Sequence, residues 1–533
     1  MSLLALFRPE PDPLHDPGAA ASFASGLPQD DPLRALDSLG EMLRSLAAAT
    51  VRARVRVEIA AILERAGAAP EREVLEKYRE DPRLRNAAAT VAWSAAYRYR
   101  SALAEVRERC ALEQLPSRPA SPSSRGELAA IAAGALRARV AHLRLAMLHY
   151  EPVPQAAWKA LYATYARCES AGIASTPAQA RRDDLPHTTP LMELMRGLLV
   201  AIAAPERLPP EEVDAAFIIA QRFAGAARLE HARFAGATHA LDLSRGAAPA
   251  PIGAGTPPGA AVRYLGARDA LANLEGQVGF QADAMLDEDN RLAAQYSPGQ
   301  RVTVLRQFMH YWSGAGPRPA RALVRLPGDV SVVHGFADVC HYAPHIAAVA
   351  AAKRTPGMPA QALGVEEDFA FAPPEHWPGR EAGLDVLRVE IPPSAGAWVE
   401  VGDLAALQAG ERADWWLGAV RRLEPAAHGA LRAELEILAR RPVSVWLRVL
   451  GRADRSVANW QSASGTFAFE YTQALVITER SADSRGPSLV LPKGRFVPEQ
   501  LVELLHGERS RALRFGEFLE QGRDYDRCTF SWQ

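Results

Sequence analysis

Lysine is almost missing from this 533-residue chain: Lys77, Lys159, Lys353 and Lys493 stand among 61 basic residues, and the rest are arginine. Lysines so few and scattered exclude a kinase or ATPase site built on a phosphate-binding lysine, and no P-loop Gly-Lys-Ser/Thr occurs. Cysteine is scarce too. Cys110, Cys168, Cys340 and Cys528 form no C-x-x-C pair, which excludes a zinc ribbon and argues against a disulfide framework. Isolated thiols suit a reducing compartment, so the cytoplasm is the expected location. An excess of either charge is also lacking: 61 basic residues face 62 acidic ones, so no global field draws nucleic acid or an anionic membrane. No apolar run approaches the roughly 18 residues of a membrane span. The N-terminal MSLLALFRPEPDP has a short apolar stretch and no basic flank, and is not expected to be a signal peptide. There is no G-x-S-x-G elbow and no H-E-x-x-H, and no enzymatic constellation is expected.

What is present is periodicity. Residues 1–30, rich in Pro, Asp, Gly and Ala, read as a disordered tail. Apolar stripes at helical spacing then run through 31–245. They include Val51, Val55, Ile59 and Ile62; Tyr99, Leu103, Val106 and Cys110; Leu136, Val140, Leu143 and Met147; and Leu191, Met195, Leu198 and Ile202. Such stripes bury against one another, which predicts a helical bundle or a helical-hairpin array. Residues 246–262 read as a Pro/Gly/Ala linker. Gly253, Gly255 and Gly259 mimic a dinucleotide fingerprint, but the spacing is wrong and Pro257 and Pro258 sit where a helix should open. A helical connector follows over 263–317, with a capping box at Ser297-Pro298-Gly299-Gln300 and a buried face at Val302, Leu305, Met309 and Trp312.

From about residue 320 the period becomes two. Leu387, Val389 and Ile391 alternate with Arg388 and Glu390; Ala433, Leu435 and Ile437 with Glu434 and Glu436; and Val443, Val445, Leu447 and Val449 with Ser444, Trp446 and Arg448. Short strands between turns predict a small antiparallel barrel over 318–455. A further β module is expected over 456–533, either a second small barrel or an extension of the first. The fold class is thus α+β, with helices first and barrels after.

Arg318, Arg321 and Arg325 fall between a helix stop and the strand near Val330–Val333. Guanidinium groups bind phosphate through two parallel bonds and stack on flat bases, so an Arg321-x-x-x-Arg325 pair entering a barrel suits a diphosphate ligand. After an insert of about fifty residues, VLRVEIPPSAGAWVEVGDLAAL leads to Trp416-Leu417-Gly418-Ala419-Val420-Arg421. This order resembles the PilZ family of bacterial cyclic di-GMP receptors over about 318–452. There an R-x-x-x-R segment precedes the barrel and a [D/N]-x-S-x-x-G turn completes the site. In the second motif Ser394 matches, Pro392 takes the acid or amide position, and Ala397 takes the final glycine position with Gly396 one residue early. The resemblance implies a non-enzymatic effector that holds cyclic di-GMP through Arg318, Arg321, Arg325, Ser394 and Gly396. It also implies contact with a protein partner through the helical region, in motility, adhesion or biofilm control. The eroded turn suits an alternative, a degenerate PilZ adaptor that binds protein without nucleotide. No cofactor and no metal are expected: His334, His341 and His345 near Cys340 read as core or surface histidines.

Overall fold

The computed structural model describes residues 12–84, 86–178, 188–253, 259–278, 296–314, 323–343, 372–410, 414–450, 471–478, 486–506 and 509–533. Two compact units emerge. A helical unit holds residues up to 205 with 210–296 and 304–316, and a β unit holds 206–209, 297–303 and 317–533.

In the helical unit, α1 (Pro17–Ser25), α2 (Pro32–Ala48), α3 (Ala53–Glu80), α4 (Ala87–Gln114), α5 (Arg125–Leu148), α6 (Gln155–Ser170), α7 (Pro190–Ala201) and α8 (Pro210–Phe223) follow in order. Their starts are written locally. Asp31 accepts from Arg34 N–H ahead of Pro32, and Thr189 accepts from Met192 N–H ahead of Pro190. Helix α1 lies inside the segment expected as a tail, because Asp16 caps it and Pro17 opens it. The stripes of α4 and α5 bury as expected. In α3 the buried face is instead Arg56, Ile59, Ala60 and Leu63, one position round from the expected stripe.

A four-stranded sheet follows in the same unit: β1 (Arg228–Glu230), β2 (His239–Asp242), β3 (Ala250–Pro251) and β4 (Val262–Gly266), in the order β1-β4-β2-β3. The segment expected as a linker thus supplies β3 and opens β4, whose five residues are all buried. Helix α9 (Arg268–Val278) and α10 (Pro298–Trp312) come next. The capping box of α10 forms reciprocally: Ser297 N–H donates to Gln300 Oε1 at 2.9 Å, and Gln300 N–H to Ser297 Oγ at 3.3 Å. The face of α10 that buries is Val304, Leu305, Phe308, Tyr311 and Trp312.

The β unit holds two six-stranded rings. The first uses β6 (Asp329–His334), β7 (Glu375–Ala382), β8 (Val386–Ile391), β9 (Leu404–Ala409), β10 (Trp416–Pro425) and β11 (Leu431–Ala439). The order β7-β6-β9-β10-β11-β8 is closed by pairing of β7 with β8, and the short β5 (Val324–Arg325) adds to β7. The insert after Arg325 therefore contributes β7. Strand β12 (Val443–Val449), expected in this ring, belongs to the second. That closed barrel runs β12-β13-β14-β17-β16-β15, with β13 (Tyr471–Ile477), β14 (Ser488–Pro492), β15 (Leu501–His506), β16 (Arg509–Gln521) and β17 (Tyr525–Trp532). Alternation alone cannot assign a strand to one of two adjacent rings; pairing of β12 with β13 and β15 decides it. One core joins the rings: Leu404, Leu417 and Ala419 of the first pack with Leu475, Val490 and Tyr525 of the second.

Candidate functional site

The turn after β8 is organised by one carboxylate. Glu375, at the start of β7, accepts from the Gly396 N–H at 2.7 Å, from Trp377 Nε1 at 2.9 Å and from Trp398 Nε1 at 3.0 Å. Charge-assisted bonds of this kind are about twice as strong as neutral ones. Trp398 stacks with Trp377 at 5.6 Å and with His334, the last residue of β6, at 4.2 Å and 17°. Burial holds the His334 imidazolium below its ordinary range, so the ring stacks as a neutral heterocycle. Gly396 takes φ +64°, and a Cβ there would meet Ile391 Cγ2 at 2.4 Å. This glycine is committed to the fold: Glu375 holds its N–H, and its carbonyl accepts from the Val399 N–H at 3.2 Å. Ser394 stands on the same turn, exposed.

The arginine segment lies elsewhere. Arg318 and Arg321 fall outside the described residues. Arg325 ends β5, exposed and opposite Glu381 of β7. Glu375 and Glu381 are six residues apart on one strand, about 20 Å at the usual rise. The structure therefore does not bring Ser394 and Gly396 to Arg325; they sit at opposite ends of β7. An R-x-x-x-R segment and a turn motif can be read from sequence, but the length of strand between them is set by register.

The histidines expected to be plain core or surface residues are placed in part. His334 stacks as above, His341 meets Tyr342 edge-on, and His345 lies outside the described residues. Among the described residues no group of three metal-ligating side chains occurs. Cys110, Cys168, Cys340 and Cys528 are each buried and free, and burial pushes the Cys340 thiol up to about 12.

Sequence reasoning missed the charged groups that join the rings. Arg421 of β10 donates to Glu436 of β11 at 2.6 Å and to Glu520 of β16 at 2.7 Å, and the Tyr525 hydroxyl donates to Glu520 at 3.1 Å. Desolvation opposes charge on Glu520, but Arg421 and Arg527 prevail and hold its carboxyl below the usual range. Nearby, the backbone N–H of Leu404 donates to Asp524 at 3.1 Å and that of Glu400 to Asp403 at 2.7 Å. Burial raises Asp403 to about 7 and Asp524 to about 6. Arg421 and Glu520 are 99 residues apart and Leu404 and Asp524 are 120, so no local pattern announces those two pairings.

No curated protein and no solved structure matches the chain. Residues 18–233 match a family model described as the N-terminal domain of the cyclic-di-GMP receptor FimW, and residues 459–532 match the FimW C-terminal β-barrel domain. The first span covers α1 to α8 and most of the second lies in the closed barrel, while the PilZ-like stretch falls between them. Together the two spans cover more than half of the chain, and it belongs to the FimW family of cyclic-di-GMP receptors.

Proposed function

We propose that the chain is a non-enzymatic cyclic di-GMP effector of the cytoplasm that couples nucleotide binding to contact with a protein partner. The observation that carries this reading is the match of residues 18–233 to a receptor family's N-terminal domain. Its place on the molecule is argued from the arginines. Arg325 is exposed and, among the described residues, has no ion-pair partner, so its guanidinium is free to meet a phosphate. Arg321 and Arg318 precede it by four and seven residues in the chain. Each charge-assisted bond contributes about 1.5–3 kcal/mol. Ser394 and Gly396, expected in the same site, belong to the turn held by Glu375, six residues along β7 from the Glu381 that faces Arg325. A change in partner contact through the helical region, in motility, adhesion or biofilm control, rests on the PilZ resemblance.

The second reading, a PilZ-like adaptor without nucleotide, is favoured by that same separation and by Pro392, which has no N–H to offer. Calorimetric titration with cyclic di-GMP separates the two, with Arg321→Ala/Arg325→Ala as the comparison. Saturable heat in the wild type that vanishes in the double variant supports the effector. A folded wild type that gives no heat at high concentration leaves the adaptor.

A further inference from the structure

Glu381 of β7 stands between two arginines and bonds to one of them. On the β5 side its register partner is Arg325. The neighbouring Leu326 N–H donates to the Arg380 carbonyl at 3.0 Å, so Arg325 and Glu381 form the next pair along, the kind without backbone hydrogen bonds. In such pairs the Cα atoms lie about 4.5 Å apart and the two side chains, on one face of the sheet, come closest. On the β8 side the register partner is Arg388, and there the charges meet: Arg388 Nη1 donates to Glu381 at 3.0 Å. Arg388 also donates to Glu434 of β11 through Nε and Nη2, both at 3.1 Å. Arg325, Glu381, Arg388 and Glu434 thus form one row across β5, β7, β8 and β11, alternating in charge.

The bonds within this row divide unevenly. Arg388 takes both carboxylates, and Arg325 takes neither. The two carboxylates also differ. Glu434 has a second cation in Arg207 at 3.9 Å, whereas Glu381, among the described residues, has Arg388 as its one ion-pair partner. With Arg388 neutral, the cation that faces Glu381 in register is Arg325. A carboxylate and a phosphate use the same fork of N–H donors on a guanidinium, so a clasp by Glu381 would have to be broken before a phosphate could bind.

We propose that Arg388 is a positioning residue for the phosphate site at Arg325: it draws Glu381 toward β8 and so keeps the Arg325 guanidinium open to an anion. Glu381 is the competitor built into that site. The inference rests on the reading of Arg325 as a phosphate ligand, and adds to it two residues that set the affinity without touching the ligand. Arg388 and Glu381 are 42% and 45% exposed, so the effect has the size of a surface ion pair and is screened by salt.

The test uses the full chain at low ionic strength, as wild type, Arg388→Gln, Glu381→Gln and Arg388→Gln/Glu381→Gln. Two readouts run in parallel: the rate of phenylglyoxal labelling at Arg325, located by peptide mass, and calorimetric titration with cyclic di-GMP. Arg388→Gln is expected to slow labelling and to weaken binding by roughly two- to fivefold. The double variant is expected to return to the Glu381→Gln values, at or above wild type, and 0.5 M salt is expected to erase the differences. Arg388→Lys keeps the charge and is expected to stay near wild type. A purely structural Arg388 would instead leave the double variant as weak as Arg388→Gln, and that result, or equal labelling of Arg325 in wild type and Arg388→Gln, overturns the inference. Binding that is lost in Arg321→Ala/Arg325→Ala but unchanged in Arg388→Gln overturns it while the effector reading stands. Labelling that follows the expected pattern in a wild type that gives no heat with cyclic di-GMP supports the release of Arg325 and sinks the effector reading alone.

Discussion

Arg421 in the β unit and the Arg144–Arg196 pair in the helical unit face the same physical problem and meet it differently. Arg421 is 15% exposed and is clasped by Glu436 and Glu520, with Arg527 and Tyr525 completing the circuit around Glu520. Its charge is neutralised within the fold, and the reward is a fixed joint between two rings. Arg144, 25% exposed, meets Asp214 only at 3.5 Å, and Arg196 donates to the Phe217 carbonyl. A closed network fixes its members at hydrogen-bond range, whereas a looser one holds opposite charges near each other without that geometry. Glu108 and Arg139 show that the helical unit is able to close a pair, with bonds of 2.7 and 2.6 Å in a fully buried setting. The open pair is therefore a local feature and not a general style of helices.

Breaking the closed network gives the largest effect. Glu520→Ala leaves Arg421 with one carboxylate, Tyr525 without its acceptor and Arg527 without its counter-charge at 3.7 Å, and is expected to cost about 3–5 kcal/mol of β-unit stability. Denaturant midpoints read by Trp fluorescence measure it; a loss near zero would mean the joint carries no structural weight. Next comes Gly396→Ala. A positive φ and a Cβ pressed on Ile391 are expected to cost about 2–3 kcal/mol and to loosen the three bonds to Glu375, which shows as lost near-ultraviolet dichroism of Trp377 and Trp398.

The third effect depends on pH. Asp403 and Asp524 hold their protons far above the usual carboxylate value of 3.8. The folded state thus binds more protons than the unfolded one between about pH 4 and 7, so stability falls as pH rises through that window and then levels. Asp403→Asn removes one of the two slopes. Relative to the wild type it is expected to be more stable at pH 8 and no different near pH 4; a constant offset across that range would contradict the burial argument. Smallest is Arg144→Gln, expected to change stability by less than about 1 kcal/mol because no good hydrogen bond is lost. A drop as large as that of Glu520→Ala would show that Arg144 is a structural residue and would erase the contrast between the two arginine groups.

Much of the architecture was legible. The capping box at Ser297 and Gln300, the proline-opened helices and the buried faces of α4 and α5 follow from local chemistry, since each needs residues within one or two turns. Strands β8 and β11 were legible for the same reason: a two-residue period sorts Leu387 and Leu435 from Arg388 and Glu434. Strand β7 was not, because Pro378 and Gly379 interrupt its pattern, and it fell within what looked like an insert. Of the candidate site, the residue types were legible and their mutual placement was not. Arg325 and Ser394 stand in the right order along the chain, but pairing to β7 sets them at its two ends.

The sequence by itself determined the long helices from α2 onward, the capping of α10, and strands such as β8 and β11 in the second half of the chain, because these depend on neighbours a few residues away. Only the tertiary structure decided which ring β12 joins, which carboxylates reach Arg421, and that Arg144 meets Asp214 only at 3.5 Å. Those outcomes depend on residues tens to hundreds of positions apart meeting in a medium where an unpaired charge is expensive, and no local pattern encodes that meeting.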